Sequence, residues 1–247
     1  MAIRRLWLAA VLLLAASLLA GTAAADGPKQ KLNAVLWVGG HSHDFKAYGE
    51  ILGEALPKLI AIDITVVRDG AFLDAAEVGK LDVILMNHCF DSDRGVLNDA
   101  QKQKLLELVR GGVGVVGIHA SYYSFVKWDD FRELFGTRFI KHGSSNVFVT
   151  VRITNDQHPI TRGVPSSFEV KSELYESKPL AEDCRVLAVA KEKGKDRELP
   201  SVWTRDFGKG KVVTILPAHW PEAYRVDAFQ KLIANSTVWA ARQAPTR

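Results

Sequence analysis

Histidine is the side chain whose ordinary pKa lies nearest neutrality, and its neutral ring nitrogens are good ligands for divalent metals. This 247-residue chain has seven, and several occupy equivalent places. His119 directly follows the apolar run Val113 to Ile118. His88 follows Leu81 to Met86 after one residue, and His41 and His43 follow Asn33 to Val38 across Gly39-Gly40. His219 stands beyond a further run, Lys211 to Leu216, after Pro217-Ala218. Short runs of β-branched and aliphatic residues bounded by glycine or polar residues read as buried strands. The carboxyl ends of parallel strands share one edge of a sheet, where ligands bind. The histidines are therefore expected to converge. Imidazoles gathered in this way can hold a metal or move protons. His142, beside Gly143, is a further candidate in a turn. His158, before Pro159, reads as structural, holding its turn by a hydrogen bond.

The elements that must position these rings alternate. After the first strand, a helix from about Phe45 to Leu59 carries Ile51, Leu52, Ala55, Leu56 and Leu59 on one face, with Asp44 as its N-cap. Ile62 to Val67 is the second strand and Leu81 to Met86 the third. A helix from about Asn98 to Arg110, closed by Gly111-Gly112, leads into the strand before His119. An amphipathic segment follows, through Trp128, Phe131 and Leu134. Val147 to Ile153 alternates like a strand with one exposed face. Cys184 to Ala190, Ser201 to Arg205 and Lys211 to Leu216 are further strands, the last two joined by the Gly-rich hairpin turn Asp206–Gly210. Asp227 to Arg242 is an amphipathic helix. The fold class is α/β: a doubly wound, mostly parallel sheet flanked by helices, with an antiparallel hairpin near the C-terminus. The Gly39-Gly40 turn matches neither dinucleotide nor P-loop fingerprint, and no nucleotide cofactor is expected.

Residues 1–25 read as a secretory signal peptide. Arg4 and Arg5 precede an apolar stretch from Leu6 to Ala20, and Ala23-Ala24-Ala25 is a small-residue cleavage site. Cleavage after Ala25 would leave 26–247 as one α/β domain, periplasmic or secreted, with no membrane anchor. Without the two leader arginines, 30 basic residues face 28 acidic ones. That near-balance gives no footprint for nucleic acid. Cys89 and Cys184 could pair in an oxidising compartment, but two scattered cysteines define no disulfide framework, and they read as small buried residues.

Four stretches carry a resemblance: GIHASYYSF with FRELFGTRF, the long block NDQHPITRGVPSSFEVKSELYES, the Gly208–Lys211 turn leading to ILPAHW, and the terminal helix with Val238-Trp239-Ala240-Ala241. Together they resemble the ThuA-like (trehalose utilisation) family, which has a class I glutamine amidotransferase-like fold. The resemblance spans nearly all of 26–247. Relatives of the fold place a nucleophilic cysteine after the central strand, where this chain has His119, so amidotransferase chemistry is not expected. The family often has Asp-Glu-Leu-Tyr where this chain has Ser172-Glu173-Leu174-Tyr175.

The resemblance implies a role in carbohydrate metabolism on oxidised (3-keto) disaccharides or glycosides, by acid–base or metal-assisted hydrolysis or elimination. The matching positions are His43, His88, His119, Glu173, Tyr175 and His219. His119 and Glu173 are the candidate base and acid, or one is a ligand, and Tyr175 orients the substrate. His43, His88 and His219 are candidate ligands for zinc, manganese or iron, or oxyanion stabilisers. Tyr122, Trp203 and Trp220 are candidate stacking surfaces for a sugar ring. The partner is a small-molecule sugar. Two other readings stay open: a non-catalytic sugar- or partner-binding protein on the same fold, and a metal-binding protein with no sugar role.

Overall fold

The computed structural model describes residues 31–90 and 96–241. The proposed signal peptide lies outside them. Eleven strands and four α-helices are assigned among the described residues. Nine strands form one sheet in the order β2-β1-β3-β4-β11-β10-β9-β6-β7. These are β1 Leu32–Gly40, β2 Ile62–Val67, β3 Val83–Cys89, β4 Gly114–Ile118, β6 Val147–Ile153, β7 Ser167–Ser172, β9 Arg185–Glu192, β10 Leu199–Phe207 and β11 Gly210–Ile215. From β2 to β11 the neighbours run parallel. From β11 outward every pairing is antiparallel. The antiparallel part is thus larger than the one hairpin expected. A separate two-stranded sheet pairs β5 Phe139–His142 with β8 Tyr175–Ser177.

The parallel half follows the sequence pattern closely. β3 and β4 are buried along their whole length, and β4 and the Val83–Met86 part of β3 read as apolar runs. Helix α1 (Phe45–Leu59) is capped by the Asp44 side chain, which accepts from the Ala47 amide. Helix α2 (Asp99–Gly111) opens with a reciprocal Asn98/Gln101 capping box and closes on Gly112 at φ 125°. One apolar core lies between the sheet and α1 and α4 (Asp227–Ala241), around Leu36, Leu52, Val116, Ile215 and Phe229. The other lies on the opposite face with α2 and α3 (Asp129–Phe135), around Trp37, Met86, Leu105, Phe131 and Trp203. The short strands β5, β7 and β8 lacked a run long enough to be read. β5 is mostly exposed, and β8 has only three residues.

The antiparallel half curls back over the parallel half. β7 is four places from β11 in the sheet, yet its last residue, Ser172, accepts hydrogen bonds from the amides of Ala218 and His219 just past β11. Sheet twist makes this return possible. It brings the segment after β7 to the carboxyl ends of β1, β4 and β11. Cys89, buried, and Cys184, half-buried, form no disulfide among the described residues. His158 does hold its turn: its Nδ1 accepts from the Ile160 amide at 3.3 Å.

Gly117 in β4 sits where any side chain would collide. An added Cβ would lie 2.4 Å from Phe135 Cε1 and 3.1 Å from Ser121 Oγ. Gly117→Ala is expected to destabilise the fold by about 1–3 kcal/mol through overpacking, read as a lower urea midpoint with an unchanged slope.

Candidate functional site

β4 ends at Ile118, and His119 turns the chain sharply in a left-handed conformation, φ 52°. This region costs a non-glycine residue about 1–3 kcal/mol, and such strain persists where surrounding structure enforces it. Here the enforcement is visible. The His119 ring is 1% exposed, and its Nδ1 donates to the Leu216 carbonyl at 2.7 Å. That bond places the proton on Nδ1 and leaves Nε2 facing Glu173 and the Tyr175 hydroxyl. His43 is fixed the same way, its Nδ1 donating to the His41 carbonyl at 3.1 Å. Its Nε2 is buried with no hydrogen-bond partner among the described residues. His219 is held by Ser172 at its amide and by the Tyr48 hydroxyl, which donates to its carbonyl.

These rings meet Glu173, which is 3% exposed. Oε1 lies 3.4 Å from His119 Nε2 and 3.4 Å from His219 Nδ1. The latter contact is close enough for attraction, but Nδ1 makes no hydrogen bond. Oε2 lies 3.1 Å from His142 Nδ1, which also bonds the Gly143 carbonyl at 2.8 Å. No lysine or arginine partner of Glu173 is found among the described residues. Burial alone would raise its pKa. The close His119 and His219 rings, with the Tyr175 hydroxyl, outweigh that and hold it well below the usual carboxylate range. Burial, reinforced by the nearby Glu173 charge, pushes the Tyr175 phenol far up, so its hydroxyl stays protonated. Tyr175 stacks on His119 with ring centroids 4.8 Å apart and its hydroxyl 3.4 Å from Nε2.

One ligand atom each from His43, His119, Glu173 and His219 falls within 4.8 Å of all the others. His43 Nε2 and His119 Nε2 both present lone pairs, because their Nδ1 protons are committed to carbonyls. Glu173 brings only acceptors. Such a group of buried acceptors calls for a cation between them, either a proton or a metal ion. Imidazoles fixed through their second nitrogen by backbone carbonyls are a common arrangement around bound metals. Three nitrogens and a carboxylate suit zinc, manganese or iron. The residues present therefore fit a divalent ion.

Of the residues singled out from sequence, His43, His119, Glu173, His219 and Tyr175 come together. His88 stands apart. β3 continues through Cys89, and the strand's two-residue period turns His88 to the opposite face. There it is fully buried against Trp37, Phe90, Phe125 and Phe131, with Nδ1 2.9 Å from Ser124 Oγ. Trp203 and Tyr122 are also enclosed, each 1% exposed. The Trp203 indole donates to the Phe135 carbonyl, and the Tyr122 hydroxyl pairs with Ser177. Neither offers a face to a sugar. Trp220 is half-buried and lines a cavity beside His219. Sequence reasoning passed over Tyr48 and the cavity-lining residues Ser145 and Cys89. It also ranked His142 second. The β5–β8 pairing, with His142 opposite Tyr175, brings His142 to Glu173, and neither strand has a readable pattern.

A doubly wound α/β protein with a histidine–glutamate centre at its strand ends is the class that fold and site define. The family model described as ThuA, trehalose utilisation, matches residues 33–240. The chain belongs to the ThuA family. Solved structures agree on the fold. A putative ThuA-like protein from Bacteroides uniformis is 20% identical, with a TM-score of 0.72 over 88% of this chain and 94% of that one. Another from Parabacteroides merdae is 19% identical, with a TM-score of 0.74 over 88% and 92%. A β-galactosidase from Rahnella sp. R3 is 14% identical, with a TM-score of 0.58 over 83% of this chain but 31% of its own. No curated protein matches this chain.

Two predictions follow from the geometry. Untagged protein offered zinc, manganese or iron is expected to retain about one equivalent by emission spectroscopy. His119→Ala and His219→Ala should fall below a tenth, whereas His88→Ala keeps its metal while losing about 2 kcal/mol or more of stability. The second concerns pH. Burial lowers the His88 pKa from 6.5 to about 3. The unfolded chain then binds the extra proton between these values and the folded one does not, so stability falls as pH drops below about 6.5. The metal-free protein should lose stability steadily from pH 7 to pH 5 in thermal melts, and the loss should be shallower in His88→Gln.

Proposed function

We propose that this ThuA-family protein is an exported enzyme of carbohydrate utilisation that cleaves oxidised, 3-keto glycosides by elimination followed by hydration. The supporting observation is the convergence of His43, His119, Glu173 and His219 around unpaired buried acceptors, beside a cavity of about 370 Å³. His142 and Tyr175 line the same cavity. A divalent ion held by the four would polarise the substrate's carbonyl oxygen.

The chain's own groups account for the proton movements. The hydrogen beside a carbonyl is acidic. His142 has Nδ1 occupied by the Glu173 carboxylate and the Gly143 carbonyl, so its Nε2 is the candidate acceptor of that hydrogen. The C–H electron pair moves into an enediolate, and the protonated Tyr175 hydroxyl donates to its oxygen. When the electrons return, the glycosidic oxygen β to the carbonyl leaves and takes up the proton that His142 Nε2 received. Water then adds across the new double bond, and the net result is hydrolysis. Glu173, held ionised and turned toward three imidazoles, is better suited to ligation and orientation than to acid catalysis.

The test is incubation of metal-loaded protein with the 3-keto derivative of trehalose and with trehalose itself. Glucose release only from the keto sugar is expected, lowered about 10²–10⁴-fold in His142→Gln. Release from both sugars alike, or from neither with any metal, would reject the elimination.

A further inference from the structure

The metal-binding candidates do not sit at the bottom of one cavity. Ser42, His43 and His219 line the inner cavity of about 370 Å³ and also a second, outer one of about 630 Å³. The two chambers therefore share a wall formed by Ser42, His43 and His219. The inner chamber carries Glu173, Tyr175 and His142. The outer one is completed by Asp44, Tyr48, Trp220 and Glu222. Both volumes lie within the range of about 300–1,000 Å³ usual for small-molecule sites.

The outer wall has a distinct chemistry. Trp220 supplies an indole held in place on several sides. Its Nε1 donates to the Ser145 carbonyl, and its ring lies 5.0 Å from that of His219. The Lys171 ammonium lies over the ring, 5.0 Å from its centroid, and Lys171 is not among the residues that line the chamber. A fixed aromatic plane suits the apolar face of a sugar ring. Asp44 and Glu222 are exposed carboxylates that can accept hydrogen bonds from sugar hydroxyls, and no lysine or arginine among the described residues lines the chamber. Two carboxylates without a counter-cation disfavour an anionic occupant.

We infer that the outer chamber is a second subsite, which takes the departing half of the substrate and selects an uncharged sugar ring. The inference rests on the glycoside reading above. The keto ring then occupies the inner chamber beside His142 and Tyr175, and the scissile oxygen lies at the junction by His43 and His219. This favours neutral disaccharide-type substrates over sugar phosphates and uronides.

Binding tests this without requiring turnover. Trehalose lacks the carbonyl and cannot eliminate, so its affinity can be measured by titration calorimetry alongside glucose and trehalose 6-phosphate. Trehalose should bind at least tenfold more tightly than either. Trp220→Ala should bring trehalose within about twofold of glucose, with metal content confirming an intact centre. Glu222→Lys, a surface change that does not threaten folding, should shrink the discrimination against the phosphate at least fivefold. Equal affinity for trehalose and glucose in the unmodified protein overturns the subsite. So does a trehalose preference that survives Trp220→Ala, or phosphate discrimination unmoved by Glu222→Lys. If these binding results hold while no 3-keto glycoside is cleaved, the subsite stands and the elimination falls. Cleavage with flat binding ratios gives the reverse.

Discussion

A buried carboxylate surrounded by imidazole lone pairs is the constraint on which this site depends. Glu173 has left water almost completely, and a charge so placed is tolerated only when opposed by positive charge or strong hydrogen bonds. Its neighbours are three histidines, and no lysine or arginine touches it among the described residues. Two of the imidazole rings facing it, those of His119 and His43, have their Nδ1 protons committed to backbone carbonyls. A structural ion pair would have been simpler to build with a guanidinium, which stays charged and brings five donors. Imidazoles in that place exchange permanent compensation for a site that can accept a cation. The fold has accepted that cost, together with the left-handed turn at His119.

The backbone supports the arrangement from both halves of the sheet. The parallel half contributes His43 and His119 past β1 and β4, and His219 past β11. The antiparallel half contributes Glu173 past β7. Ser172 is the joint between them. Its buried hydroxyl oxygen accepts from the Ala218 and His219 amides, tying the end of β7 to the segment beyond β11. This is the position where ThuA-like sequences often have aspartate. In this chain the hydroxyl's task is to hold two backbone segments together. The serine therefore leaves the neighbouring Glu173 and Tyr175 in reach of the imidazoles.

The legibility of the chain tracks burial. Strands enclosed on both faces, β4 and most of β3, are apolar runs, and helices with side-chain caps announced their starts at Asp44 and Asn98. The strand ends therefore located His43, His119 and His219 in advance. Strands β5, β7 and β8 are short or edge-like, and their pairing is set by tertiary return of the chain, which leaves little local trace. His142 suffered from this, since only its pairing opposite Tyr175 brings it to Glu173. His88 failed in the opposite way. It lies near a strand end, but one more strand residue follows it, and alternation decides the face. The same rule enclosed Trp203 inside β10. Proximity to a strand end is thus a weaker guide than the side of the sheet on which a residue emerges.

The division of the site into two chambers connects these points. A centre built from loops at several strand ends stands between elements rather than within one. Open space remains on both sides of His43 and His219. A single-ring substrate would need only the inner chamber, with its polar, proton-carrying wall. The outer chamber's indole plane and unopposed carboxylates would then have no part in recognition. On the proposed reading, a substrate made of two linked rings would use both chambers and put its linking oxygen at their shared wall, beside His43 and His219. The placement of the centre between the cavities therefore argues for a bond joining two units as the reacting bond.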